Sequence, residues 1–432
     1  MIETKKVSEK YILVGIFDSD GEAAEASLAE LSKLTETAGA TAVCTVLQHL
    51  EHPNMSTYIG KGKVDEISGL IRQFDADGII CDDELTPVQI RNLSECLDVK
   101  VIDRTILILD IFAAHAFTAE GKLQVETAQL KYRASHLAGL GRALSRLGGG
   151  IGTRGPGETK LEVDRRAIRH RLGVLNGEIR KLAEVRKTGR KKRIESNTTV
   201  AAIVGYTNAG KSTLLNRLTG AGIPEEDKLF ATLDPTTRLC VLLQGQEILL
   251  TDTVGFINKL PHNLVDAFRS TLEEAKYADI LIHVVDASDP NADMHMEVVY
   301  RTLRELEITG KPVLTVFNKM DLADGENVLR DDRADITVKT SLKNGDGREA
   351  LLEKIAELIE RDQRHIEVLL PYNEAEKLSR IRSRGRLIRE EYLPEGIMVE
   401  AYVPGSIRIP EAKDEHQKQG NPAGKISHDE EG

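Results

Sequence analysis

A continuous apolar stretch, TVAAIVG, runs directly into GYTNAGKS at residues 205–212 and on into STLLNRLTG. This strand, glycine-rich loop and helix in immediate succession match the GxxxxGK[ST] phosphate-binding pattern and constrain the fold more than any other segment. The loop works only at the carboxyl end of a buried strand in a parallel sheet, so a doubly wound α/β domain is expected around it. Backbone N–H groups from Asn208 to Thr213 are expected to wrap a β-phosphate at the helix N-terminus, where the helix dipole also favours negative charge. Lys211 is placed to bridge β- and γ-phosphates, and the Ser212 hydroxyl to reach Mg²⁺.

The loop touches only what ATP and GTP share, so the base must be chosen elsewhere. NKMD at 318–321 supplies that choice. Asp321 can accept from both N1–H and the exocyclic amine of guanine, a donor pair adenine lacks. A buried acceptor left unpaired by the wrong base gives discrimination of roughly 10⁴-fold. Asn318 is expected to support the loop, Lys319 to cover the guanine plane, and Ser341, Leu342 and Lys343 to offer backbone contacts to the guanine oxygen. Between loop and base reader lies DTVG at 252–255. Asp252 is read as holding a metal-bound water and the Gly255 amide as the sensor of the γ-phosphate.

The first switch is expected in DKLFATLDPTTR, where Thr232, Thr236 and Thr237 all qualify as the Mg²⁺ ligand of the GTP state, with Thr232 favoured. Phe256 follows DTVG where a Ras-like enzyme carries a water-orienting glutamine. A phenyl ring cannot orient or polarise water. Hydrolysis is therefore expected to be slow in isolation and completed by another group. Asn208 suggests K⁺ as one such aid, in place of an arginine finger.

The full chain of 432 residues is too long for one core and suggests about three domains. Residues 1–117 alternate strand-like and helix-like runs, the signature of a parallel-sheet α/β domain. Within it, Gly60, Lys61, Gly62 and Lys63 could form a small anion-binding turn at a helix N-terminus, but without a full nucleotide fingerprint the reading favoured is a tight βα turn. Residues 118–196 read as two long antiparallel helices around a glycine-rich loop at 146–160. Residues 197–364 form the Ras-like domain, and 365–409 a small α+β domain. The polar tail 410–432 is expected to be disordered.

Overall charge is −11, which taken alone argues against a nucleic-acid partner. Yet residues 131–193 hold 18 Lys+Arg against 5 Asp+Glu. That island is an electrostatic footprint for phosphate backbones, with Arg146, Arg154, Lys160, Arg165 and Arg166 as candidate RNA contacts. Four cysteines without metal or disulfide spacing, and no run of 18 apolar residues, lead to the expectation of a cytoplasmic protein. A tRNA-modifying GTPase would need a cofactor domain or a catalytic cysteine near the C-terminus, and none follows Cys240.

RLGGGIGTRGPGETKLEVDRR at 146–166, joined to GYTNAGKSTLLNRLTG and flanked by DRTILILDIFAAHAFTAEGKLQVETAQLKY and LFATLDPTTR, resembles the HflX family of GTPases over nearly the whole chain. The resemblance implies that Thr232 is the Mg²⁺ ligand and that Phe230, Ala231, Thr232, Leu233 and Asp234 contact the nucleotide. The candidate nucleotide set is then these five with Gly205, Tyr206, Thr207, Asn208, Ala209, Gly210, Lys211, Ser212, Thr213, Asp252, Thr253, Val254, Gly255, Asn318, Lys319, Met320, Asp321, Ser341, Leu342 and Lys343. Lys211, Thr232 and Gly255 are the catalytic candidates. The resemblance also implies a partner of the large ribosomal subunit and its RNA, whose GTP form splits stalled ribosomes under stress and whose hydrolysis of GTP to GDP releases it; a monomer is expected. The alternative is an RNA-remodelling scaffold or assembly factor that uses GTP for structural order. Relatives have been linked to ATP use through the N-terminal domain, but residues 1–196 hold no second phosphate loop.

Overall fold

The structure is a computed structural model that describes residues 8–147, 156–196, 198–220, 222, 229–230, 236–243, 245–261, 273–323, 329–361, 363–384 and 386–404. The chain divides into two compact units, one of residues 1–192 with 199–355 and the other of 193–198 with 356–432.

The first unit opens with strands β1 (Lys10–Phe17), β2 (Thr41–His49), β3 (Gly78–Cys81) and β4 (Lys100–Asp103), separated by helices α1 (Gly21–Thr37), α2 (Lys61–Phe74) and α3 (Pro87–Leu97). The sheet order is β2-β1-β3-β4 with every pairing parallel. Central β1 carries Tyr11, Ile12, Leu13 and Val14, all buried, as expected for a strand covered on both faces. The helices start where the sequence says they should. Asp20 caps α1 by accepting from the Ala23 amide at 2.9 Å, and Thr86 and Gln89 form a reciprocal capping box ahead of Pro87. Asp103 ends β4 and caps α4 (Arg104–His115). The Gly60 amide is taken by Gln48 Oε1 at 2.9 Å, and Lys63 pairs with Glu66, so this turn is a βα connection.

Helices α5 (Ala119–Leu147) and α6 (Pro156–Ser196) follow. Arg171 pairs with Glu126 and Arg186 with Glu120, so α6 runs back along α5, as the antiparallel reading expects. The expected loop at 146–160 is shorter than that reading had it. Arg146 lies in the last turn of α5 and Lys160 in the second turn of α6, because Pro156 fits the first helical position and ETK continues the helix despite Gly157. Arg154 lies outside the described residues. Arg165 and Arg166 are exposed on α6.

The Ras-like part is a six-stranded sheet of order β10-β9-β8-β5-β7-β6, built from β5 (Thr199–Gly205), β6 (Thr236–Val241), β7 (Glu247–Asp252), β8 (Ile280–Asp286), β9 (Val313–Asn318) and β10 (Ile336–Lys339). Among these described strands, edge strand β6 alone is antiparallel. Helices α7 (Lys211–Thr219), α8 (Ala292–Glu305) and α9 (Arg348–Arg361) accompany the sheet. The strand order reverses beside β5, so its carboxyl end opens at a topological switch point. In the second unit, β11 (Gln363–Leu370), a 3₁₀ turn, α10 (Ala375–Arg384), β12 (Arg386–Leu393) and β13 (Gly396–Pro404) form an antiparallel β11-β13-β12 sheet. Its core joins Val368 and Leu370 to Leu378, Ile381, Ile397, Val399 and Val403. The tail expected to be disordered lies outside the described residues. Among those described, no helix is long and apolar enough to cross a membrane.

Candidate guanine-nucleotide site

Strand β5 is buried from Ala201 to Gly205, and the chain turns at once into residues 206–210 before α7 begins at Lys211. Gly210, the residue before that helix, has φ +99°, and a Cβ there would fall 2.3 Å from Asn318 Nδ2. Only glycine satisfies both the left-handed backbone and the close approach. Asn318 ties the base-reading strand to the loop in the role the sequence suggests. Its Nδ2 donates to the Ala209 carbonyl at 3.0 Å, while its Oδ1 accepts from the Leu342 amide at 3.1 Å. One side chain thus registers the phosphate loop, NKMD and the 341–343 segment against each other.

Lys211 is buried, and its Nζ donates to the Tyr206 carbonyl at 2.7 Å. Burial pushes its ammonium down to about 8, opposed by the Asp252 carboxylate. The Ser212 hydroxyl donates to Asp252 Oδ2 at 2.9 Å, bringing the two expected metal-side residues together. These are hard oxygen donors at a helix N-terminus, the chemistry Mg²⁺ takes when phosphate oxygens and water complete its shell. Thr232, with Ala231, Leu233 and Asp234, lies outside the described residues.

Thr253 and Val254 are buried, and Thr253 Oγ1 donates to the Ile203 carbonyl at 2.7 Å, so these two residues brace β7 against β5. At the base end, Ser341 donates its hydroxyl to Asp321, which holds that carboxyl below its usual range. The Met320 amide donates to the Thr340 carbonyl at 3.2 Å, and the Lys343 carbonyl accepts from Arg217 at 2.7 Å.

Two loop residues and one switch residue of the candidate set make contacts within the protein. The Tyr206 side chain leaves the phosphate side altogether: its hydroxyl donates to Glu30 of α1, and its ring stacks on His295 at 3.8 Å. The Thr207 amide donates to the Phe256 carbonyl at 2.8 Å, tying the start of the loop to the segment after DTVG. Phe230 is buried with φ +58° and packs edge-on against Phe112 of α4, ring centroids 4.6 Å apart. That ring is part of the apolar core.

Asp286, at the end of β8, carries no motif, and sequence reasoning passes over it. Its Oδ2 accepts from Lys319 Nζ at 2.6 Å, and its Oδ1 accepts from the Ser288 amide and hydroxyl at 3.0 and 2.6 Å. The signal available was position alone: β8 ends level with β9, pairing Asp286 with Asn318.

Comparison with known proteins bears on this geometry. Three family models match in succession: a GTP-binding GTPase N-terminal region over residues 25–113, a GTP-binding GTPase middle region over 115–193, and a 50S ribosome-binding GTPase over 200–319. The GTPase HflX of Lacrimispora saccharolytica is 56% identical over 407 residues, covering 94% of this chain and 96% of that one. Its counterpart in Escherichia coli is 42% identical over 324 residues, 75% and 76% of the two chains. Among solved structures, a GTP-binding protein from the archaeon Sulfolobus solfataricus in complex with GDP aligns at 25% identity and a TM-score of 0.43, over 81% of this chain and 98% of that one. With the three regions matched in order and more than half of the residues shared with a relative along nearly the full length, the chain belongs to the HflX family of GTPases.

Proposed function

We propose that the protein is a GTP-driven switch acting on the large ribosomal subunit, whose GTP form promotes splitting of stalled ribosomes and whose hydrolysis of GTP to GDP releases it. The observation that carries this reading is the union, in one chain, of a guanine-nucleotide loop with a long pair of helices bearing the basic island, Arg165 and Arg166 exposed among them. The 50S ribosome-binding description of the family model matching the nucleotide domain supports the same partner. Sedimentation of ribosomes with the protein and either GTP, GDP or a non-hydrolysable GTP analogue tests it. Subunit peaks should grow with GTP and with the analogue, and a profile indifferent to nucleotide would refute it.

In this mechanism the chain's residues position and bind. Backbone amides of 208–213 and the helix dipole of α7 hold the β-phosphate, and Lys211 adds a point charge. Asn318 fixes the loop, Lys319 covers the guanine, and Asp321 reads its edge. Ser212, with Thr232 from the first switch, is assigned to Mg²⁺ and Asp252 to one of its waters; the ion when bound would neutralise charge on the β- and γ-phosphates. Asn208, at φ +61°, is assigned to K⁺. Phe256 leaves water activation to another group, so turnover is slow in the free protein and rises with ribosomes and K⁺. Fast hydrolysis by the free protein that is the same in Na⁺ as in K⁺ would overturn this assignment.

A further inference from the structure

Beyond the loop, the segment after DTVG is gripped from outside the nucleotide domain. Phe256 pairs with Tyr206 in a parallel bridge, its amide donating to the Gly205 carbonyl at 3.1 Å and its carbonyl accepting from the Thr207 amide at 2.8 Å. This sets Gly255 hard against the loop: a Cβ there would fall 2.9 Å from both Lys211 Nζ and Thr207 Cα. Lys211 and the Gly255 amide are the groups that must reach a γ-phosphate together. In this arrangement the Gly255 backbone lies close to the Lys211 ammonium, so movement of residues 255–259 away from the loop widens the space open to a γ-phosphate.

Those residues are held by the N-terminal α/β domain. Arg104, the first residue of α4, is 1% exposed. Its Nη1 donates to the Asn258 carbonyl at 2.9 Å and to Glu30 at 2.7 Å, and its Nη2 pairs with Asp82 at 3.1 Å. Lys259 reaches Asp82 at 2.5 Å and Asp83 at 2.7 Å, just past the end of β3. The Asn258 amide donates to the Tyr206 hydroxyl at 2.7 Å, which itself donates to Glu30. Two cations and three carboxylates therefore bind the loop and the segment after DTVG into one network, buried at Arg104 and Asp82 and partly exposed at Lys259 and Asp83. Burial works against the Arg104 and Lys259 charges, yet the facing carboxylates win and hold both cations above their ordinary pKa. A cavity of about 210 Å³ lies beside the network, lined in part by Glu30, Tyr206, Asn208 and Asn258.

We propose that Arg104 and Lys259 are positioning residues that set the nucleotide preference of the site: by holding residues 255–259 against the phosphate loop they favour GDP over GTP. The coupling is reciprocal, so a bound γ-phosphate loosens the grip of the N-terminal domain by the same factor. The inference rests on the guanine-nucleotide reading of the site and not on the ribosomal one.

The test is the full chain with Lys259→Gln and, separately, Arg104→Gln, titrated with fluorescent GDP and a fluorescent non-hydrolysable GTP analogue. Each variant should tighten analogue binding relative to GDP by about tenfold, within the usual range for coupled sites, while the GDP affinity stays within about twofold. Lys259 is partly exposed, so its variant carries the test if Arg104→Gln fails to fold. Arg333→Gln, which removes a surface pair with Glu297, should leave the ratio unchanged. Equal changes in both affinities, or none, would overturn the inference. Failure of the unsubstituted protein to bind GDP would overturn the nucleotide reading instead.

Discussion

Replacing Asp286 by asparagine tests whether the base reader depends on a residue outside every motif. The carboxylate faces Lys319 Nζ at 2.6 Å, with the two side chains 18% and 26% exposed, and is itself held by the Ser288 amide and hydroxyl. Lys319 has φ +62°, so the backbone already turns its side chain, and the carboxylate fixes where the ammonium rests. A charge-assisted hydrogen bond contributes about 1.5–3 kcal/mol, and partial exposure brings this to about 1–2 kcal/mol. The substituted carboxamide would keep the Ser288 contacts while losing the charge. If the lost energy appears as freedom of Lys319 over the guanine, GDP and GTP affinities should both fall roughly 5- to 30-fold, with their ratio unchanged. Equilibrium titration with fluorescent nucleotides measures the loss, and a double-mutant cycle with Lys319→Ala assigns it. Asp286→Asn should cost almost nothing once Lys319 is alanine. Additive losses would refute the reasoning, because Asp286 would then act on the site without Lys319.

Other outcomes follow from the same geometry. Lys211 is held near 8 by burial, and phosphate oxygens beside it raise its pKa again on binding. Nucleotide binding should then take up a proton above pH 8, so affinity weakens as pH rises past that value and levels off below it; calorimetry at pH 9 in buffers of different ionisation enthalpy checks this, and Lys211→Ala should lose both affinity and proton uptake. Gly210→Ala puts a methyl 2.3 Å from Asn318 Nδ2 at φ +99°, and should abolish nucleotide binding in the same titration. Arg165→Glu with Arg166→Glu should leave nucleotide binding intact while weakening ribosome cosedimentation and lowering its salt dependence by about one unit of slope per lost phosphate contact.

Much of the site was legible because its chemistry is local in sequence. GYTNAGKS, DTVG and NKMD each carry a loop, its charge and its backbone demands within eight residues or fewer, and each follows a strand of one sheet. The glycine-rich connection was read too long, since six glycines between 148 and 157 outweighed the helix signal of Pro156. The network around Arg104 left no such trace. Its partners Glu30 and Asn258 are 74 and 154 residues away, and DRTILILDIF reads simply as an apolar helix with a charged end. Nothing periodic marks an arginine whose partners lie on other elements and, at Asn258, in another domain.

Phe256 shows how the two levels join. In sequence it is an absence, the lack of a group able to orient water. In the fold it is a positive feature: the ring is 1% exposed in the hydrophobic cluster that also holds Ile108, Phe112 and Phe230, while its backbone pairs with the phosphate loop. A glutamine there would bury an amide in the same core at a cost of about 1–3 kcal/mol unless it found partners. An apolar residue therefore stabilises the arrangement in which Gly255 lies against Lys211, and the side chain that fails as a catalyst helps to close the site. Retaining this ring and gripping the two residues beyond Ile257 are two halves of one device. The first favours the closed segment from within the nucleotide domain, and the second, through Arg104 and Lys259, makes that closure answer to the N-terminal domain.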